Sequence, residues 1–174
     1  MTRRPADPSQ RFLRLASAIR AEMHRIAAVV VEVQEALADF SDSEPSRREL
    51  RGIGDIIHDF YTGTERTFEK IAPELNGGVP SGSVWHRELL DNMTLDLPAV
   101  RPPVLRPSTA AALHEYLRFR HLFRNLYGFE LEWNRIRPLL ERLPPIWEEV
   151  RSDLDSFVQF LEAAARAGGP GRRV

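Results

Sequence analysis

The sequence predicts an all-α protein, an antiparallel up-and-down bundle of about five helices. Three observations favour this class. Apolar residues recur at steps of three and four along several long segments, which is the period of an amphipathic helix. No segment shows the alternating polar and apolar pattern of a half-buried strand. Breaks containing proline, glycine or serine separate the segments, as expected of the connections between neighbouring helices.

The first apolar stripe predicts one long helix over residues 12–40. After a break, Ser46 is followed three residues later by Glu49, and this spacing predicts a capping box at the start of a second helix. Gly63 lies inside that second helix, where glycine costs about 1 kcal/mol relative to alanine. We therefore expect a neighbouring helix to approach closely at Gly63.

The middle of the chain is predicted to contain a loop, a short helix and an irregular segment. Residues 76–82 have the composition of a loop. Ser83 is expected to cap a short helix that ends at Met93. Residues 95–107 contain four prolines, which predicts an extended and irregular connection.

Two further helices are predicted in the last third of the chain. Ser108 is expected to cap a helix that ends at Gly128, since glycine is the usual residue type at a helix C-terminus. A final apolar stripe covers residues 133–164. Pro144 and Pro145 are expected to break this helix or to restart it, because proline is well tolerated only in the first turn.

Composition limits the classes of function. With 174 residues, of which 43% are hydrophobic and 28% charged, the chain is expected to form one domain over residues 11–167. Residues 1–10 and 168–174 are expected to be flexible ends. The formal net charge of −1 gives no global attraction to nucleic acid, so RNA binding would need a local basic patch.

No metal, cofactor or membrane span is expected. Cysteine is absent, which excludes disulfides and thiolate metal sites, and the histidines and carboxylates are too scattered to suggest a metal centre. No glycine-rich phosphate loop follows a strand. The longest apolar run, residues 26–31, is far shorter than the roughly 20 residues of a membrane span. Residues 1–10 lack the apolar core of a secretion signal, so a cytoplasmic location is expected.

The helix predicted after Ser108 places an arginine inside its apolar face. That face is formed by Ala112, Leu113, Tyr116, Leu117, Phe119, Phe123 and Leu126. Arg120 projects from within it. Because burying an unpaired guanidinium is costly, Arg120 needs either a carboxylate partner, such as Glu65 or Glu130, or an opening onto a groove. In a groove its planar fork would match the oxygens of a phosphate. Both interpretations remain open at this point.

A separate polar stripe on the same helix consists of His114, Arg118, His121 and Asn125, at spacings of four, three and four. Such a stripe is often no more than a solvated helix face. The alternative is a face for phosphate binding and proton transfer, because histidine titrates near neutral pH.

The segment from Arg120 to Tyr127, Arg-His-Leu-Phe-Arg-Asn-Leu-Tyr, resembles the signature of HEPN-superfamily ribonucleases, in particular the HepT-like toxins of prokaryotic toxin–antitoxin pairs. In that signature an arginine is followed after four residues by a histidine, and a tyrosine lies two residues further on. Residues 60–66 and 85–90 also resemble one HepT-like branch. The resemblance extends over residues 10–165.

The resemblance implies a HEPN-like bundle that forms a homodimer, with the motif helices of two subunits lining a shared cleft. It implies metal-independent RNA cleavage, in which Arg120 clamps the scissile phosphate while Arg118 and Arg124 hold the RNA backbone. It also implies a minimal nucleotidyltransferase antitoxin as partner. In related pairs the partner can modify the motif tyrosine with AMP, and Tyr127 matches that position.

One residue departs from the family pattern. Asn125 occupies the position of the catalytic histidine, and an amide cannot transfer a proton near pH 7. One hypothesis is that His121, one turn earlier on the same face, carries the proton while Asn125 orients substrate or water. The other is a catalytically inactive HEPN module that only binds a nucleotidyltransferase.

Three other polar features are interpreted as structural. His58 and Asp59 lie near the stripe of the second helix and are expected to support packing. The spacing of Arg51 and His58 loosely matches the same motif, and chance is the preferred explanation. His86, near the first turn of its helix, is expected to be a packing or capping residue.

Overall fold

The computed structural model describes residues 7–125 and 131–168, and in these residues it contains five α-helices. They are α1 (Pro8–Asp39), α2 (Arg47–Leu75), α3 (Trp85–Asn92), α4 (Pro107–Asn125) and α5 (Trp133–Ala167). No strand occurs in the described ranges, where the one β-bridge pairs Leu97 with Arg101. The predicted all-α bundle is confirmed. The predictions for Tyr127, Gly128 and Glu130 lie outside the described residues.

Helix α1 packs along both α2 and α5. Its apolar stripe is buried between them, with Ile19, Ile26 and Val33 essentially inaccessible to solvent. The shorter helices α3 and α4 pack against α2, and α4 also contacts α5. Helix α2 therefore contacts the long helix α1 as well as the two shorter helices α3 and α4.

Both sequence predictions for α2 are confirmed. The Ser46 hydroxyl accepts a hydrogen bond from the Glu49 amide, and the Glu49 carboxylate accepts one from the Ser46 amide at 2.7 Å, which completes the capping box. A Cβ atom added to Gly63 would lie 2.9 Å from Cγ1 of Ile26 on α1. Glycine thus permits α1 and α2 to approach closely at this point.

The two serine caps predicted for α3 and α4 are wrong. Helix α3 begins at Trp85, after Val84, and has no side-chain cap, because residues 83 and 84 form a turn before it. Helix α4 begins one residue before Ser108, at Pro107. Proline suits a first helical position because its fixed φ angle is already helical and it has no N–H to satisfy.

The break predicted at Pro144 and Pro145 is also wrong. Helix α5 continues from Trp133 to Ala167 and contains both residues. An interior proline removes a helical hydrogen bond and costs about 3 kcal/mol in an exposed helix. Leu143 and Trp147, on either side of the pair, are both buried in the core. Burial of a continuous apolar stripe against α1 offsets the local cost.

The irregular connection between α3 and α4 is organised by a buried arginine. The Arg101 guanidinium donates hydrogen bonds to the Asn76 side-chain oxygen and to the backbone carbonyls of Asn92, Leu95 and Pro102, all at 2.8–2.9 Å. Each of the three guanidinium nitrogens therefore has at least one oxygen partner, and the connection is tied to the end of α2.

Candidate active site

Arg120 lies where α4 packs on α2, and its residue surface is only 8% exposed. Its Nη2 atom is 3.5 Å from Oε2 of Glu65, so one of the two carboxylates proposed as its partner is indeed nearby. Its Nη1 atom is 3.3 Å from Nε2 of His86. Both distances are long, and the buried Nε has no hydrogen-bond partner among the described residues. Arg120 is therefore held, but weakly.

His86 on α3 joins Glu65 to Arg120. Its Nδ1 atom is 2.7 Å from Oε1 of Glu65. Because a guanidinium can only donate, Nε2 of His86 must be the acceptor of the contact with Arg120. The imidazole is therefore neutral, with its proton on Nδ1 and donated to the carboxylate. The Trp85 ring stacks on the imidazole with centroids 3.7 Å apart, which fixes the plane of the ring.

The role of His86 in this cluster was missed by the sequence interpretation, which treated it as a packing or capping residue. His86 and Arg120 are 34 residues apart, and no local spacing connects them. The available signal was the resemblance of residues 85–90 to one HepT-like branch, because that segment contains His86.

His121 stands at the surface beside His86. The two rings meet edge to face with centroids 5.4 Å apart. Partial burial lowers the pKa of His121, and the neighbouring His86 and Arg120 lower it further. Burial also lowers the pKa of His86, with Arg120 and Arg124 acting in the same direction. Near neutral pH both imidazoles are therefore uncharged and able to accept a proton.

On α2, the buried Glu65 belongs to the cluster formed by Glu65, His86, Arg120 and His121, and the buried Tyr61 lies beside it. Burial raises the pKa of the Glu65 carboxyl, and the positive charge of Arg120 opposes this shift. Burial likewise raises the pKa of the Tyr61 hydroxyl, one turn earlier on α2, far above its ordinary value. Tyr61 therefore stays protonated, and its hydroxyl has no hydrogen-bond partner in the part of the chain that the structure describes.

Asn125 and Arg124 occupy the exposed end of α4. The Asn125 side-chain amide donates a hydrogen bond to the backbone carbonyl of His121 at 2.7 Å, so it is folded back on its own helix. Arg124 is exposed in the last described turn. Tyr127, the third motif residue, lies outside the described residues.

A groove of about 510 Å³ runs between α3 and α4. His86 and His121 line it together with Arg87, His114 and Arg118. Three of the four residues in the predicted polar stripe thus border a groove rather than a plain solvated face. Two arginines on its walls provide the local basic patch that the nearly neutral chain would need in order to bind a phosphate backbone.

A second groove, of about 460 Å³, lies between α4 and α5 and is mainly apolar. Phe119, Ile136 and Leu139 contribute to its walls. Leu122, at its edge in the last turn of α4, is 53% exposed and adds to the apolar surface of the groove.

The remaining polar features have simpler surroundings. The His58 ring packs against Phe123 with centroids 5.8 Å apart, and its Nδ1 atom lies 3.5 Å from Asp59, which agrees with a structural interpretation. Within residues 7–125 and 131–168, no three histidine or carboxylate side chains are grouped so that they could hold a metal ion. None of the described helices combines the length and the apolar character needed to cross a membrane.

A comparison with protein families decides the relationship suggested by the motif. The family model described as HepT-like protein matches residues 52–161, which is more than half of the chain. The chain belongs to the HepT-like family of the HEPN superfamily. The matched residues of this HepT-like protein include Glu65, His86, Arg120 and His121, the whole of the cluster described above. Neither the curated proteins nor the solved structures contain a significant match.

Proposed function

We propose that this HepT-like protein is the toxin of a toxin–antitoxin pair and acts as a metal-independent RNA endonuclease. The observation that carries the proposal is the placement of a weakly held arginine, Arg120, next to two neutral imidazoles, His86 and His121, which line a groove with basic walls. A cation for phosphate and groups for proton transfer are the requirements of RNA cleavage without a metal.

The proposed chemistry uses the 2′-hydroxyl of RNA as the nucleophile. A base removes its proton, the oxygen attacks the adjacent phosphorus, and the bond to the 5′-oxygen breaks to leave a 2′,3′-cyclic phosphate. Arg120 stabilises the charge that develops on the phosphate oxygens. His121 carries a proton, Asn125 orients substrate or water, and the exposed Arg118 and Arg124 bind the RNA backbone.

Family membership and the second groove support the proposed partners. We assign the apolar groove between α4 and α5, with the exposed Leu122 at its edge, to a homodimer contact. The motif resemblance supplies the second partner proposed here, a minimal nucleotidyltransferase antitoxin, and Tyr127 as the residue that it modifies. A cytoplasmic location follows from an RNA substrate.

A second candidate function is an inactive module whose only activity is binding the nucleotidyltransferase. The specific observation in its favour is Asn125. The motif position carries an amide with no titratable proton, and this amide is already hydrogen-bonded to the helix backbone.

Replacing Asn125 by histidine separates the two candidates. The ribonuclease proposal expects slow native cleavage of RNA in EDTA and a gain of about 10²- to 10⁴-fold for Asn125→His, because a positioned acid or base contributes that much. Cleavage is followed on end-labelled RNA, with detection of 2′,3′-cyclic ends. Asn125→Gln, which restores no titratable group, is the matched control and should give no gain.

The same assay identifies the native proton carrier. His121→Ala should remove native cleavage, and adding Asn125→His to that variant should restore it. If the native protein cleaves none of a broad panel of RNAs and Asn125→His gains nothing, the binding module becomes the better account.

A further inference from the structure

The two ring nitrogens of His86 have different partners. Nδ1 makes a short contact of 2.7 Å with the buried carboxylate of Glu65. Nε2 accepts from Arg120 at 3.3 Å, near the upper limit of a hydrogen bond. A buried carboxylate on Nδ1 is the arrangement that fixes a histidine tautomer and stabilises the imidazolium formed when Nε2 takes up a proton.

Arg120 donates to the lone pair on Nε2 of His86, but its contacts there contribute little stabilisation. Its contacts with Glu65 and His86 are both long, and its buried Nε has no partner among the described residues. A phosphodiester offers anionic oxygens that suit the guanidinium fork better than one neutral imidazole nitrogen. A phosphate that binds Arg120 would therefore replace His86 as the acceptor and leave Nε2 free beside the phosphate.

We propose that His86 is a general base of the ribonuclease reaction, oriented by Glu65 and covered by Arg120 until an RNA phosphate displaces that contact. This inference rests on the ribonuclease function proposed above. It gives the reaction a proton acceptor from α3, outside the arginine-to-tyrosine motif of α4. It also explains how the chain could cleave RNA with an amide at position 125.

The step balances without any further reactant. Nε2 of His86 takes the proton of the 2′-hydroxyl, and the oxygen's electron pair forms the new bond to phosphorus. The bond from phosphorus to the 5′-oxygen breaks, and that oxygen leaves with the electron pair. It receives a proton from the imidazolium form of His121, which takes up that proton from solvent beforehand and returns to the neutral imidazole; His121 is exposed and faces His86 at 5.4 Å between ring centroids. Glu65 balances the positive charge left on His86.

The groups around His86 determine the pH dependence. Glu65 and Glu69 face it from α2, and Arg120, Arg124 and His121 from α4. The pKa of His86 is lowered by burial and by the two arginines. Because a base must be unprotonated, kcat/KM should rise with pH through a pKa below the ordinary histidine value of about 6.5.

The first test replaces the imidazole in the full-length chain. His86→Gln should lower kcat for RNA cleavage by about 10²-fold or more while KM changes little, and the acidic limb of the pH profile should disappear. His24→Gln makes the same chemical change at an exposed position on α1 and should leave kcat and the pH profile unchanged. If circular dichroism shows that His86→Gln does not fold, Glu65→Gln replaces it, with kcat expected to fall about tenfold because the tautomer is no longer fixed.

A second readout does not depend on cleavage. Nitrogen-15 NMR of the histidines, titrated with a 2′-deoxy oligonucleotide that cannot be cleaved, should show His86 as the Nδ1-protonated tautomer. Its pKa should rise on binding, as Nε2 is released from Arg120 and an anion approaches. The same titration of Arg120→Met should give a much smaller change. An Nε2 resonance that does not respond at saturation overturns the inference.

The outcomes separate the two levels of the proposal. Native protein that cleaves no RNA contradicts the ribonuclease function and, with it, the base role of His86. Native protein that cleaves RNA, with His86→Gln unchanged in kcat and in pH profile, contradicts only the role of His86.

Discussion

Two buried arginines, Arg101 and Arg120, show how the same side chain serves structure in one region and an active site in another. Their exposed fractions are similar, 3% and 8%. Arg101 makes four hydrogen bonds of 2.8–2.9 Å to one side-chain amide and three backbone carbonyls. Arg120 has two long contacts, of 3.3 and 3.5 Å, and an unsatisfied Nε within the described part of the chain.

The difference lies in what the partners can do. The oxygens around Arg101 belong to the backbone and to a side-chain amide, so they do not titrate. The guanidinium therefore holds these segments together and has a purely structural role. Arg120 faces a carboxylate and an imidazole, both of which titrate, and it has donor capacity left over. Burial alone therefore does not distinguish a structural arginine from a functional one, whereas the completeness of its hydrogen bonding does.

The largest effect is expected for Arg120→Ala in the activity assay. RNA cleavage should become undetectable, because the cation opposite the phosphate is lost. Stability should fall by only about 1–2 kcal/mol, since Glu65 keeps its short contact with His86 and is not left buried and unpaired. Urea unfolding measured beside RNA cleavage gives both quantities.

The matching control is Arg120→Lys, which keeps the charge but not the fork and should retain a small part of the activity. If Arg120→Ala instead unfolds at room temperature, or if the folded fraction cleaves RNA normally, Arg120 is a structural ion pair and the comparison with Arg101 fails.

The sequence predicted the fold more completely than the site, for physical reasons that particular residues show. The periodic stripes of α1, α2 and α5 and the capping box at Ser46 depend on neighbours within four residues, and these predictions hold. The break predicted at Pro144 and Pro145 was wrong because the prediction considered only the local cost of an interior proline. It left out the stabilisation from burying Leu143 and Trp147. The position of Arg120 on an apolar arc correctly indicated a need for a partner.

The composition of the cluster depended on packing between distant segments. Helix periodicity left Glu65 and Glu130 equally possible as partners of Arg120, and only the packing of α4 on α2 brings Glu65 near. His86 reaches the cluster because α3 is held against α2 and α4. The connection that follows α3 is fixed by Arg101, which lies in a proline-rich segment without periodicity and gave no signal in the sequence.

A smaller effect, on stability alone, is expected for Arg101→Ala. The variant leaves three backbone carbonyls and the Asn76 amide oxygen without their donor, which should cost about 3–4 kcal/mol. RNA cleavage per folded molecule should stay near the native value, because Arg101 does not contact the cluster around Arg120. Urea unfolding at neutral pH measures the loss. A large fall in cleavage with native stability would show that the connection positions α3 for catalysis.

The smallest expected effect is a difference in how these two stability losses depend on pH. Arg120 lowers the pKa of His86, His121 and Glu65 in the folded protein. Removing it raises all three, so the folded variant binds more protons than the native protein between pH 7.5 and pH 5.5. Binding more protons in the folded state stabilises that state as pH falls. The loss caused by Arg120→Ala should therefore shrink on acidification. The partners of Arg101 do not titrate in this range, so the loss caused by Arg101→Ala should be constant.

Urea unfolding of both variants and of the native protein at the two pH values provides the comparison. Equal pH dependence for the two variants would mean that Arg120 is not electrostatically coupled to the histidines, and the distinction between the two arginines would then rest on geometry alone.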